Sequence, residues 1–284
     1  MCHHSDVKNL QANPDWEAVL YKALKAARLG RDVLLHYFGR LEHVEEKFQA
    51  GLVSEADKES EKAIFDYLRK HFPEDEFVGE ESTLDSTKIP PPAKGKGRWI
   101  VDPLDGTTNY VHRFPIFCVS IGYEYEGRIQ VAVIDVPLLG EVYSAIRGRG
   151  AFINGRKLQV SSTASIKDAL LATGFFGENE PQLQEQLRVF TDIVRRCRGV
   201  RRPGAAAYDL TQVARGVFDG FWEKGLKPWD AAAGILLVEE AGGKVTTYRG
   251  SDYTPYKNSI IACNGKLGQD LVRSFSTFLS PETD

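Results

Sequence analysis

The chain has 284 residues, 42% of them hydrophobic and 26% charged, the balance of an ordinary globular enzyme with room for a large core. Its net charge of −3 argues against nucleic acid as the main ligand, and no apolar run approaches the roughly 20 residues of a membrane span. The first residues carry no apolar signal core, and Cys2, Cys118, Cys197 and Cys263 lack metal-type spacing; the last three sit in or beside apolar segments, so there buried free thiols in a reducing cytoplasm are expected.

Residues 15–37 place Trp16, Val19, Leu20, Ala23, Leu24, Ala27, Val33 and Leu34 at helical spacing, with Gly39 closing the segment. Residues 44–52 read as a loop or short strand. Ser54 is the cap of a second helix running to about residue 71, striped by Ala56, Ala63, Ile64, Tyr67 and Leu68 and followed by Pro73. Asp57 falls in its first turn, where complementing the helix dipole is the ordinary role. Residues 76–79 form a short strand leading into Glu80-Glu81-Ser82, and 88–97 a surface loop rich in Pro, Gly and Lys. The apolar run Trp99-Ile100-Val101 reads as a buried strand. Strands at 117–125 and 129–136 meet at Glu126-Gly127-Arg128; another follows at 141–146, and 151–158 brackets the hairpin dipeptide Asn154-Gly155. From Ser165 the pattern alternates: strand 170–173, helix 181–196, helix 206–217, strand 220–223, apolar helix 230–241, strands 244–248 and 259–263, and a closing helix 267–279. The first half therefore reads as α+β and the second as α/β.

The chemistry concentrates in Asp102-Pro103-Leu104-Asp105-Gly106-Thr107-Thr108. Two carboxylates straddle a proline that stiffens the turn. Gly106 lets the backbone approach a ligand, and Thr107 and Thr108 offer amides and hydroxyls where a helix could start, a place that favours anions. The same residues also make an ordinary turn with an Asx cap. Asp230 opens the apolar helix as its first residue or cap. Glu80, Glu81, Asp102, Asp105 and Asp230 all fall at ends of apolar elements. If those ends pack together, five like charges meet and raise one another's pKa. A hard divalent cation removes the conflict, and an oxygen-only ligand set selects Mg²⁺ or Mn²⁺ over Zn²⁺. Met1-Cys2-His3-His4 reads as a terminal tail, with soft-metal binding as the alternative.

The run from Asp102 to Pro115, Asp-Pro-Leu-Asp-Gly-Thr-Thr-Asn-Tyr-Val-His-Arg-Phe-Pro, resembles the first signature of the inositol monophosphatases. Trp229-Asp230-Ala231-Ala232-Ala233-Gly234, ending in Glu240-Ala241-Gly242-Gly243, resembles the second, and Gly79-Glu80-Glu81-Ser82 matches the acidic motif nearer the N-terminus. These motifs cover nearly the whole chain and are specific for the Mg-dependent, lithium-sensitive superfamily, less so for substrate. The resemblance implies a layered αβαβα sandwich of the sugar-phosphatase type, with an α+β half (1–158) carrying the metal-binding loops and an α/β half (159–284) completing the active site and substrate pocket.

The resemblance also implies two to three Mg²⁺ ions, with Mn²⁺ as a substitute, held by Glu80, Asp102, the Leu104 carbonyl, Asp105 and Asp230. Glu81 and Lys47 would support the site, although the spacing from Lys47 to Asp57 is one residue short of the family's. The amides of Gly106 and Thr107 would cradle phosphate. Thr107, paired with Asp57, would orient and deprotonate the attacking water beside Glu80. Glu223 and the backbone at Ala206 match contacts to an inositol ring; a carboxylate suits a polyol because it accepts from hydroxyls, and an exposed acid at a strand end is the alternative. No Cys-x5-Arg loop or phosphate-accepting Asp motif is present, so direct attack by metal-activated water is expected on an ester whose uncatalysed hydrolysis is among the slowest reactions. The expected reaction is hydrolysis of myo-inositol 1-phosphate by a cytoplasmic homodimer. The rivals are a histidinol-phosphate or fructose-1,6-bisphosphate phosphatase of the same superfamily, and a regulatory relative that binds RNA or transcription machinery, against which the absence of a basic stripe speaks.

Overall fold

In this computed structural model, which describes residues 14–47, 51–83, 85–175 and 180–278, helix α1 (Trp16–Tyr37) begins where the Asp15 carboxylate accepts the amides of Glu17 and Ala18 at 3.1 and 3.3 Å. Residues read as a loop or short strand form an antiparallel hairpin of β1 (Val44–Lys47) and β2 (Gly51–Ser54). Helix α2 (Glu55–His71) starts at Ser54 as expected and packs along α1. Strand β3 (Glu76–Gly79) runs parallel to β4 (Gly97–Asp105). After the short helix α3 (Thr107–Val111) the chain meanders antiparallel through β5 (Cys118–Tyr125), β6 (Arg128–Val136), β7 (Glu141–Ile146), β8 (Gly150–Ile153) and β9 (Arg156–Lys157). These strands form one sheet in the order β3-β4-β5-β6-β7-β8-β9.

The remainder runs β10 (Leu170–Thr173), α4 (Glu180–Arg196), β11 (Gly199–Arg201), α5 (Ala206–Ala214), β12 (Gly220–Lys224), α6 (Pro228–Glu240), β13 (Lys244–Thr246), β14 (Ser259–Cys263) and α7 (Gly268–Phe278). Its sheet has the order β11-β10-β12-β14-β13, parallel around β10 and antiparallel around β14. Strand β11 is too short to show a pattern of its own and is defined only by its pairing with β10.

Contacts stack these elements in five layers. α1 and α2 cover the seven-stranded sheet, α5 and α6 lie between the two sheets, and α4 and α7 cover the outer face of the second. This is the layered αβαβα arrangement. The sequence reflects position in the stack. α6 faces a sheet on each side, so Trp229, Ala231, Ala232, Ala233, Ile235, Leu236, Leu237 and Val238 are all buried and the helix is apolar all round. α1 meets one sheet only and buries a stripe: Val19, Ala23, Ala26, Ala27 and Leu34. Cys118 and Cys263 are buried free thiols as expected, whereas Cys197 is half-buried. Among the described residues no helix is long and apolar enough to cross a membrane.

Candidate active site

Strand β4 does not stop at Val101. It continues through Asp102-Pro103-Leu104-Asp105, with Asp102 opposite Ser120 and Asp105 opposite Cys118 on β5. Three steps on one strand thus match two on the other, a bulge at a proline that has no amide to give the ladder. On a regular strand residues three apart point to opposite faces; the extra residue brings the two carboxylates to the same side. Asp102 Oδ1 also accepts the Leu104 amide at 3.0 Å.

The next turn needs Gly106. Its φ is +92°, and a Cβ there would meet the Ile116 carbonyl oxygen at 3.1 Å and Ala205 Cβ at 3.2 Å. α3 then starts at Thr107, whose hydroxyl oxygen lies 3.1 Å from both Asp57 Oδ1 and the Leu104 carbonyl oxygen. The other oxygen of Asp57 accepts the Ser54 amide at 2.8 Å and the Ser54 hydroxyl at 2.6 Å. Asp57 therefore caps α2 and also holds Thr107, 50 residues away. Local sequence placed Asp57 in the first turn of α2; its pairing with Thr107 was expected only through the family resemblance.

The remaining acids arrive from separate elements. Glu80 follows β3, its amide bonded to the Val101 carbonyl at 3.2 Å. The neighbouring Glu81 amide donates to Glu61 Oε2 at 2.9 Å. Asp105 accepts the amides of Ala206 and Ala207, at 3.2 and 2.8 Å, and the Cys118 thiol at 3.5 Å. Asp230 is the third residue of α6 rather than its first or its cap, because Pro228 takes the first position, where a missing N–H costs nothing. Its carboxylate accepts the Lys227 amide at 2.7 Å.

These groups feel one another. Burial, then the charges of Glu80, Asp105 and Asp230, hold the Asp102 carboxyl well above the usual range. Asp230 is raised by burial and by Glu80, Asp105 and Glu223. Asp105 is pushed up to about 6 by burial, against the opposing pull of its amide donors. Among the described residues no three acidic, imidazole or thiol side chains are already drawn tightly enough to enclose an ion. The donor set is nevertheless all-oxygen, buried and like-charged, and a hard divalent cation is what such a set lacks.

Beside the acids lies a cavity of about 160 Å³ bordered by Asp105, Arg202, Asp209, Glu223 and Asp230 and by backbone at Ala206. Asp230 and Glu223 keep some contact with water through its mouth yet are enclosed by protein on other sides. Burial accordingly pushes Glu223 up to about 8, with Arg202 drawing it down. Gly174 makes room for it: a Cβ there would stand 2.2 Å from the Glu223 carboxylate. Sequence reasoning anticipated Glu223, Ala206 and, as part of the pocket edge, Gly174, but not Arg202 or Asp209; an acid inside the apolar run of α5 was the available signal for Asp209. Lys47 ends β1, and its side chain lies outside the described residues, as do the tail at 1–4 and residues 176–179 of the run from Gly174 to Glu180, which the sequence alone places at the pocket edge.

Acids gathered at the edge of a five-layer sandwich, with a threonine–aspartate pair beside them, define a phosphatase-type site. The chain belongs to the inositol monophosphatase family, whose model matches residues 15–278. It is 41% identical over 272 residues to a protein named Nus factor SuhB from Pseudomonas aeruginosa, covering 93% of this chain and 98% of that one. It is 38% identical over 263 residues to an inositol-1-monophosphatase from Synechocystis, covering 92% and 88%. The solved inositol monophosphatase from Anabaena superposes with a TM-score of 0.82 at 36% identity, covering 94% of this chain and 98% of that one. Membership supports a phosphatase hydrolase of a family that generally depends on metal ions.

Proposed function

We propose that this chain is a Mg²⁺-dependent, lithium-sensitive phosphatase that hydrolyses myo-inositol 1-phosphate to myo-inositol and phosphate. The observation that carries the reading is the Thr107 hydroxyl, 3.1 Å from Asp57 and from the Leu104 carbonyl, beside mutually repelling acids. Glu80, Asp102, the Leu104 carbonyl, Asp105 and Asp230 would hold two to three Mg²⁺ ions, which supply charge neutralisation for the phosphoryl oxygens and acidify water. Glu81 and Lys47 support that set.

The protein groups do the rest. A hydroxyl has one proton to donate. Donating it to Asp57, Thr107 presents its lone pairs to the attacking water, accepts a hydrogen bond from it and orients it for in-line attack. The amides of Gly106 and Thr107 hold the phosphate, and Glu223 with the Ala206 backbone accepts ring hydroxyls. The water oxygen bonds to phosphorus, the ester P–O bond breaks, the water proton leaves through Thr107 towards Asp57, and the departing ester oxygen takes a proton from solvent water to become the free alcohol. Phosphate release from a panel of inositol, histidinol, fructose and phenyl phosphates, with and without Mg²⁺ and Li⁺, tests the reading. A good rate on another member beside a poor one on inositol 1-phosphate would reject the substrate; no Mg²⁺-dependent release on any would reject the phosphatase.

The relative named a Nus factor supports a second reading, in which this chain serves as one too. An Asp102→Asn chain separates the two: it loses turnover and keeps that role. Sedimentation tests the homodimer expected of the family.

A further inference from the structure

Asp209 lies in the first turns of α5 and is only 2% exposed. It borders the same cavity as Glu223 and Asp230, and its Oδ1 has no hydrogen-bond partner among the described residues. A buried carboxylate oxygen left unpaired is costly, about 1–3 kcal/mol and more when charged, so its presence calls for a partner that the free chain does not supply. The first turn of α5 favours an acid electrostatically, but the neighbours Ala206, Ala207, Leu210 and Val213 are apolar and pack between two sheets, giving its carboxylate no side-chain hydrogen-bond donor. The opposite wall supplies Glu223, and Arg202 at the exposed rim supplies the one guanidinium among the residues bordering this cavity.

We infer that Asp209 is a specificity-determining residue that, with Glu223, accepts hydrogen bonds from two hydroxyls of a polyol leaving group. The inference rests on the phosphatase reading above. Of the four carboxylates that border the cavity, Asp105 and Asp230 are assigned to metal; the remaining two match a ligand face that is rich in O–H donors and carries no charge of its own. Such a wall rejects a leaving group without hydroxyls, because both acids would then remain buried and unpaired. Among the described residues Asp209 has no hydrogen bond to the acids assigned to metal and touches the site only through its charge near Asp105, so its removal is expected to change phosphate chemistry little.

The experiment compares Asp209→Asn and Asp209→Ala with the unmodified chain, each in saturating Mg²⁺, on myo-inositol 1-phosphate and on p-nitrophenyl phosphate, with thermal midpoints measured alongside. The expected result is a loss of about 10- to 100-fold in kcat/KM for the inositol ester, carried mainly by KM. Turnover of p-nitrophenyl phosphate stays within about twofold, and the midpoints do not fall, because Ala removes an unpaired buried oxygen and Asn removes its charge. Equal losses on both esters with lowered midpoints would make Asp209 structural and overturn the inference; so would unchanged kinetics on both. If the unmodified chain prefers a different polyol phosphate, the inositol reading fails by itself and the same ratio is read on the preferred ester. If it prefers p-nitrophenyl phosphate to every polyol ester, both fail.

Discussion

The carboxylate of Asp105 accepts the amide of Ala207 at 2.8 Å, across 102 residues of sequence. One residue at the end of β4 thereby satisfies free amides at the start of α5 while standing among the other acids. The N-terminus of α5 is where the cavity begins, so the acid site and the pocket wall share a fixed point. An Asp105→Asn side chain has one oxygen for two amides. It should therefore weaken Mg²⁺-dependent turnover and also raise KM, a combination that steady-state kinetics reads directly.

Asp102→Asn isolates the charge. Its Oδ1 still accepts the Leu104 amide, but one of several repelling buried acids becomes neutral. Turnover should fall by about a thousandfold, the equivalent of several kcal/mol of charge stabilisation. In chelator the thermal midpoint should rise above that of the unmodified chain, and added Mg²⁺ should raise it further by less than it raises the unmodified midpoint. A lowered midpoint in chelator would show that repulsion does not dominate there.

Thr107 offers a sharper separation of chemistry from folding. Thr107→Val preserves shape and removes the hydroxyl between Asp57 and Leu104. The expectation is a kcat loss of about 100- to 10,000-fold at nearly constant KM, with Thr107→Ser keeping most of the rate. Asp57→Asn should lose rate similarly and, because the Ser54 contacts weaken, about 1 kcal/mol of stability as well.

Gly174→Ala tests the pocket from its backbone side. The added Cβ would collide with the Glu223 carboxylate at 2.2 Å, and a side chain can swing away more cheaply than a strand can move. The fold should survive with its midpoint little changed, while KM for the polyol ester rises about tenfold, the equivalent of one mispositioned hydrogen bond. Equal KM values would show that Glu223 makes no ring contact.

Asp135 gives a pH signature away from the site. Burial lifts its carboxyl from 3.8 to about 6, against the pull of Arg31, whose guanidinium lies 3.4 Å away. The folded chain thus holds this proton to higher pH than the unfolded chain does. Its contribution to stability is fully present below about pH 4 and is lost as pH rises through about 6. Asp135→Asn should remove that slope, so that denaturant melts of the variant and the unmodified chain diverge in the variant's favour between pH 4 and pH 8.

Residue type and spacing determined much of this by themselves. The stripes of α1 and α2, the turn dipeptide Asn154-Gly155 and the all-apolar α6 are local signals, because periodicity reports which faces a segment must bury. The motifs around Asp102, Glu80 and Asp230 marked the acids for the same reason: each element's end carries a charge that its apolar body cannot explain. What lay beyond the sequence was pairing at a distance. The bulge that turns Asp102 and Asp105 to one side exists only against β5. β11 is a strand only beside β10. The Thr107–Asp57 pair was expected only through the family motif and not from local pattern, and Asp209 shares a cavity with Glu223 only once separate layers are stacked. A local pattern fixes what a segment buries; which polar groups then face each other depends on long-range packing, and that is where the site is made.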